Sequence, residues 1–282
     1  MATMLTRPAR SQESVRSMSE ADPMHSPLAS DQRATYPSLK GKRVLVTGGG
    51  SGIGAGMVEG FVRQGAQVTF FDIAEEDSAA LVASLDGAGT APVFQRLDLT
   101  DVAAVQAAIR ALIDENGAFD ILINNAANDD RHTIEQVTPE YWDNRIAVNL
   151  RHLFFAAQAV IPGMKAKGGG VIVNLGSISW HLALEELTLY QTCKAGIEGL
   201  TRSFARELGP DNIRSVCIVP GNVKTPRQMK WYTPEGEADI VKAQCLKGRL
   251  VPDDIAAMAL FLASDDARLV TGHEYFVDAG WR

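Results

Sequence analysis

The sequence predicts a single α/β domain built on one doubly wound, parallel sheet of about seven strands with helices on both faces. Two observations carry that expectation. From Lys40 to the C-terminus, short apolar runs alternate with longer stretches of helical periodicity. Strands that are apolar on nearly every residue must be covered on both faces, which is the condition of a parallel sheet. The second observation is the first strand-to-helix junction, T-G-G-G-S-G-I-G at residues 47–54, which holds five glycines in eight residues. Each costs roughly 0.5–1 kcal/mol inside regular structure, so the backbone there must approach something that side chains would exclude.

Taken in order, residues 44–47 form a short β-rich run, and residues 52–64 space Ile53, Met57, Val58, Phe61 and Val62 along one helical face. A strand over 68–72 and a helix over 75–85 follow, then a strand at 93–97, a helix at 101–116 and a strand at 121–124. The second half predicts a long helix over 139–165, a strand at 171–175, a helix from about 189 to 208 and a strand at 213–219. A helix over 253–264 and a last strand at 274–277 complete the pattern. No repeat or linker interrupts it, so residues 36–282 are read as one domain. Residues 1–35 are rich in Ser, Ala, Pro, Arg and Met and lack an apolar signal core. They are expected to be a disordered arm, or a stretch upstream of a start at Met18 or Met24.

The 282 residues carry a net charge of −7 with acidic and basic side chains interspersed, which argues against a nucleic-acid or anionic-membrane partner. No apolar run approaches a membrane span. The cysteines, Cys193, Cys217 and Cys245, are odd in number and far apart, as in a protein of the reducing cytoplasm. The five histidines show no ligand spacing, so no metal is expected, and no G-x-S-x-G elbow supports hydrolase chemistry.

A glycine-rich turn that opens a helix brings unpaired N–H groups and a partial positive charge to one point, which suits a phosphate. Asp72 ends the next strand in V-T-F-F-D-I. A carboxylate there accepts bonds from a ribose 2′-hydroxyl and repels a 2′-phosphate, and no Arg or Lys lies in the loop or directly after Asp72. Together they predict a Rossmann-type dinucleotide site that takes NAD rather than NADP.

The glycine spacing is T-G-x-x-x-G-x-G, with Gly48, Gly52 and Gly54 at the marked places. In that form it resembles the short-chain dehydrogenase/reductase family, and further elements follow in the family's order. They are Asp98 in L-D-L-T, Asn124-Asn125-Ala126-Ala127 where the family has N-N-A-G, Asn149 in A-V-N-L, Ser177, Tyr190 and Lys194 in Y-x-x-x-K, and Pro220-Gly221. The resemblance covers the chain from about residue 40 onward. It implies cofactor contacts at Gly48, Ser51, Gly52, Ile53, Gly54, Asp72, Ile73, Asp98, Leu99, Asn125, Ala126, Ala127, Tyr190, Lys194, Pro220, Gly221, Val223 and Thr225. It implies catalysis by Asn149, Ser177, Tyr190 and Lys194, with Asn149 holding a water in a proton relay, and a homotetramer paired through the two longest helices.

The residue chemistry agrees. Tyr190 and Lys194 lie four apart, on one helical face. A phenol of pKa about 10 is a poor base at neutral pH, and a neighbouring ammonium favours its ionised form.

Three segments should surround the reacting carbon: N-D-D-R-H (128–132), I-S-W-H-L (178–182) and T-P-R-Q-M-K-W-Y-T-P-E-G-E (225–237). Hydrogen-bonding groups beside flat aromatic faces suit a sugar, whereas an acyl chain calls for an aliphatic lining. The candidates for substrate contact are Asn128, Ser177, Ser179, Trp180, His181, Tyr190, Asn222, Gln228 and Trp231. For Asp129, Asp130 and Arg131 a solvated surface turn is an equal alternative. These segments resemble a pentose-oxidising, NAD-dependent branch of the family, which implies oxidation of the anomeric carbon of an aldopentose, D-xylose first. Another aldose such as L-arabinose or a hexose, a 3-oxoacyl thioester reductase, and a non-enzymatic NAD-sensing scaffold are the competing readings. Retention of Ser177, Tyr190 and Lys194 speaks against the last.

Overall fold

The computed structural model describes residues 33–230 and 232–281. Seven strands form one sheet: β1 (Arg43–Thr47), β2 (Gln67–Asp72), β3 (Val93–Arg96), β4 (Ile121–Asn124), β5 (Gly170–Leu175), β6 (Ile213–Pro220) and β7 (Glu274–Val277). Every pair is parallel, in the order β3-β2-β1-β4-β5-β6-β7. The winding reverses between β1 and β4, and at such a switch point the loops after the strands part to leave a crevice.

Side chains alternate between the two faces of each strand. Val44, Val46, Phe70, Ile123, Val173 and Ile218 pack beneath α1 (Gly52–Arg63) and α9 (Pro252–Ala263), with Met57, Phe61 and Ile255 fully buried among them. On the opposite face Leu45, Phe71, Leu122 and Ile172 meet α3 (Val102–Asn116), α5 (His152–Lys167) and α6 (Thr188–Leu208) through Ile109, Val160 and Phe204. Burying each such side chain contributes roughly 1.5–3 kcal/mol, which fixes the frame that holds the loops. The remaining helix of the first half, α2 (Glu75–Ser84), carries three acidic residues in its first turn, where they complement the helix dipole. No helix among the described residues is long and apolar enough to cross a membrane.

The structure departs from the expected elements in three places. The long helix over 139–165 is two helices, α4 (Pro139–Ile146) and α5, joined by a π-helical turn at Ala147–Arg151 that contains Asn149. A π turn adds one residue to the helical ladder and recurs at functional sites, and its apolar pattern is indistinguishable from that of a continuous helix. Two helices follow β6 where none was expected, α7 (Pro226–Met229) and α8 (Pro234–Ala243). Each opens on Thr-Pro, with Thr225 accepting from Gln228 N and Thr233 from Gly236 N, a helix start that the sequence does carry. Lastly, most of the arm expected over 1–35 lies outside the described residues, but its end is folded. Arg33 pairs with Asp253 at 2.8 Å, and Ala34 O accepts from Gln64 Nε2 at 3.0 Å.

Candidate active site

The loop after β1 is shaped by close approach. Gly48 and Gly52 have φ of +66° and +55°, left-handed values that favour glycine. A Cβ on Gly54 would stand 1.8 Å from Gly48 O, and one on Gly48 would stand 2.7 Å from Ala126 Cα. Asn125 pins the loop to the end of β4: its Nδ2 donates to Thr47 O at 3.0 Å and to Gly48 O at 2.7 Å. Thr47 Oγ1 in turn accepts from the backbone N–H of Asn125 and Ala126. His152 lies below this turn with Nε2 3.1 Å from Ala126 O. Burial pushes its pKa down to about 4, so the ring is neutral near pH 7, and because a carbonyl only accepts, Nε2 carries the proton.

Asp72 closes the loop from the other side. Its carboxylate accepts from Gly50 N (2.8 Å), Ile73 N (2.7 Å) and Ala74 N (2.9 Å). Arg96, its register partner on β3, pairs with Glu75 at 2.6 Å instead. Asp98 accepts from Thr100 N and Oγ1, bonds that hold its carboxyl below the usual carboxylate range.

A cleft of about 490 Å³ runs from Asp72 and Asp98, past the glycine loop, to Tyr190 and Lys194. All eighteen residues expected to contact the cofactor line it. The cradle left by Gly48, Gly52 and Gly54 and the carboxylate of Asp72 at its outer end fit a dinucleotide.

At the inner end Tyr190 and Lys194 stand one turn apart on α6. Lys194 Nζ donates to Leu175 O at 2.7 Å and lies 5.3 Å from the centre of the Tyr190 ring. Burial pushes the Lys194 pKa down to about 8, opposed by Cys217, Cys193 and Asp129. Burial also raises the Tyr190 phenol above its ordinary value, and Asp129 adds to this; a hydrogen bond from Ser177 and the charge of Arg227 oppose it. Ser177 is held by Ser179 N, which donates to its Oγ at 3.1 Å. Asn149 does not line the cleft. Its amide spans the main chain of Asn128, accepting from Asn128 N at 2.7 Å and donating to Asn128 O at 3.0 Å. The π turn thus fixes the loop after β4.

Among the substrate candidates, Asn128, Ser177, Ser179, Tyr190, Asn222 and Gln228 line the cleft. The Ser179 hydroxyl is buried without a hydrogen-bond partner. Trp180 and His181 do not reach the cleft, contrary to expectation. Trp180 Nε1 (2.8 Å) and His181 Nε2 (3.1 Å) both meet Glu198 Oε1 on α6, and the His181 ring packs edge-on against Phe276. Glu198 is a buried carboxylate, and burying one without such partners would cost several kcal/mol. Trp231 lies outside the described residues. A tryptophan face at the cleft comes instead from Trp281, and Leu182, Leu184 and Leu187 add aliphatic lining beside it.

Asp129, Asp130 and Arg131 are not a free surface turn. Arg227 on α7 donates from Nε to Asp129 Oδ1 (2.9 Å) and from Nη2 to Asp130 Oδ1 (2.7 Å) and Asn128 Oδ1 (2.9 Å). Gln228 Nε2 reaches Asp129 Oδ2 at 2.8 Å, and Arg145 Nη1 pairs with Asp130 Oδ2 at 3.0 Å. Arg131 donates to Glu185 O.

The sequence model of a family described as enoyl-(acyl carrier protein) reductase matches residues 48–282. The chain is 66% identical over 249 residues to D-xylose 1-dehydrogenase of Caulobacter vibrioides, covering 88% of this chain and 99% of that protein. A solved structure of a putative short-chain alcohol dehydrogenase from Sinorhizobium meliloti superposes with a TM-score of 0.82 at 32% identity, covering 87% of this chain and 98% of that one. The chain belongs to the short-chain dehydrogenase/reductase family. A probable galactose dehydrogenase of Rhizobium meliloti is 50% identical over 247 residues, 87% of this chain and 96% of that protein. As a member of that family, this chain is an oxidoreductase acting on CH–OH groups with a nicotinamide cofactor. The cleft thus joins the glycine loop at one end to Tyr190 and Lys194 at the other.

Proposed function

We propose that the protein oxidises the anomeric carbon of a cyclic aldopentose, D-xylose first, to the aldonolactone, with NAD as oxidant. The observation that carries this reading is the polar wall facing Tyr190, where Asn128, Asp129, Ser179, Asn222 and Gln228 line one cleft. An alkyl or acyl chain would leave the Ser179 hydroxyl and the open acceptor positions of Asp129 unpaired at a cost of roughly 1–3 kcal/mol each. The relationship to the D-xylose and galactose enzymes supports it. NAD, when bound along the glycine loop with its adenosine ribose at Asp72, supplies the hydride acceptor. The protein's own part is proton management. Ser177 Oγ hydrogen-bonds the anomeric oxygen, Tyr190 Oη removes its proton, and the Lys194 ammonium favours the phenolate that does so. Trp142 and Phe154, exposed on α4 and α5, are where a homotetramer paired through its long helices would bury apolar surface.

The test is initial rates with NAD and NADP across D-xylose, L-arabinose, D-ribose, D-glucose and D-galactose, read as reduced-nicotinamide absorbance. NAD-dependent turnover greatest with D-xylose is expected. Highest kcat/KM with D-galactose would move the assignment to a hexose, and no turnover with any aldose would end the sugar reading.

Cofactor choice has its own test. Asp72→Asn keeps an acceptor for the Ile73 and Ala74 amides, gives up the bond from Gly50 N, and removes the charge that repels a 2′-phosphate. The NAD to NADP ratio of kcat/KM is expected to fall by about tenfold or more, equivalent to about 1.4 kcal/mol. An unchanged ratio would show that Asp72 only shapes the loop.

A further inference from the structure

The polar residues at the substrate end differ in how much hydrogen-bonding capacity they have left. Asn128 Oδ1 already accepts from Asp130 N and Arg227 Nη2. Asn222 Oδ1 accepts from Tyr232 Oη and Arg249 Nη2. Gln228 spends Nε2 on Asp129, and its Oε1 lies 3.2 Å from Tyr232 Oη, whose single proton it shares with Asn222. Their oxygens are engaged and the Asn128 and Asn222 amide groups are left as donors only, so these three frame the wall without offering a free charged acceptor. Asp129 is different. Each of its oxygens receives one donor, Arg227 Nε on Oδ1 and Gln228 Nε2 on Oδ2. A carboxylate offers about two acceptor positions per oxygen, so one remains on each, and the side chain lines the cleft with 30% of its surface exposed. Asp130, next in the chain, is 51% exposed, is tied to Arg145 and Arg227, and does not line the cleft.

We propose that Asp129 is the substrate-specificity residue of this site, its two carboxylate oxygens each accepting a hydrogen bond from one of two adjacent hydroxyls of the sugar, while Arg227 and Gln228 hold it in position. This rests on the aldose reading above and deepens it. A vicinal diol presents two donors at the spacing of a carboxylate, and charge-assisted bonds are about twice as strong as neutral ones. The same carboxylate excludes an acyl chain, which would strip water from the charge and return nothing. Keeping an anion near the catalytic phenol has a consequence for the base. Asp129 opposes ionisation of Tyr190, Ser177 and Arg227 favour it, and Cys193 opposes it weakly. The Arg227 pairing is what makes the anion tolerable there.

The experiment compares wild type, Asp129→Asn and Asp129→Ala on D-xylose and on its 2-, 3- and 4-deoxy analogues, with NADH binding by fluorescence as the measure of an intact site. Both variants are expected to bind NADH as wild type does and to raise KM for D-xylose on the order of 10- to 100-fold with kcat much less affected. The decisive readout is coupling. The deoxy analogues that lack the gripped hydroxyls should be penalised in wild type, and that penalty should collapse in Asp129→Ala. In Asp129→Asn the lost charge should also move the basic pKa of the kcat/KM profile downward. Unchanged KM, deoxy penalties that persist in the variants, or loss of NADH binding by both variants would each overturn the proposal. Wild type that oxidises no aldose would overturn the underlying assignment instead, so the two failures are distinguishable.

Discussion

Tyr190→Phe is expected to lower kcat by roughly 100- to 10,000-fold, the range that positioned acid–base groups contribute, equivalent to about 3–5 kcal/mol of barrier. Loss of the substrate proton is the step that needs a base, and within reach of the cleft no other group fits. Lys194 is an ammonium donating to Leu175 O, Ser177 is a neutral hydroxyl, and Asp129 is a carboxylate, a group far less basic than a phenolate, already charge-paired with Arg227. Phenylalanine keeps the ring and its packing and removes only the oxygen. Because burial holds the phenol protonated in the free protein near neutral pH, that oxygen contributes a neutral hydrogen bond with Ser177, worth about 1 kcal/mol. Stability and NADH affinity should therefore change little while turnover collapses. The check is a full kcat and KM comparison alongside thermal unfolding and NADH titration. A variant that retains a tenth or more of wild-type kcat would remove Tyr190 from the role of base.

What the sequence revealed about the site follows how local each constraint is. The glycine loop was legible because close backbone contact leaves only one residue type, as the 1.8 Å approach at Gly54 makes plain. Y-x-x-x-K was legible because helical geometry alone puts Tyr190 and Lys194 on one face. Sheet topology followed from continuous apolar strands such as V-L-V and I-L-I. The substrate end was harder because its residues come together only through loops. Trp180 and His181 sit two and one residues from Leu182, which does line the cleft. What turns them away is Glu198, on another element, and an acid on an amphipathic helix reads as solvent-facing. Its spacing of four from Lys194, on the same face, was the available signal. The clasp of Arg227 across Asn128, Asp129 and Asp130 joins residues about a hundred positions apart, beyond any periodicity. The π turn around Asn149 was hidden for a different reason: one added residue leaves an apolar helix apolar all round.

Lys194→Met separates catalysis from stability, because the two should move in opposite directions or only one should move at all. At 5.3 Å from the Tyr190 ring centre, a unit charge in an effective dielectric of about 20 is worth roughly 3 kcal/mol to the phenolate. That is about two pKa units, or a 100-fold loss of the reactive form when the charge is removed. Stability obeys a different account. Burial moves the lysine from its ordinary 10.5 to about 8, so at pH 7 keeping the charge inside costs about 3 kcal/mol. Methionine fills similar space without that cost, but it leaves Leu175 O without its partner, a loss of roughly 1–3 kcal/mol. At pH 7 the variant should be as stable as wild type or up to about 2 kcal/mol more so. The pH dependence fixes the sign. Between pH 8 and 10.5 the folded lysine has released its proton while the unfolded one retains it, so wild-type stability rises with pH in that window. From pH 7 to 9.5 this contributes roughly 2 kcal/mol, which the methionine variant lacks. Cys193 and Cys217, whose thiols burial pushes up to about 11 and about 12, act the other way, and because the Lys194 charge lowers both, they rise further in the methionine variant and add to the difference. Urea unfolding of both proteins at pH 7 and 9.5 measures the difference. Parallel pH responses would mean that Lys194 does not titrate in this window, and the charge that primes Tyr190 would then have to be held at lower cost than its burial implies.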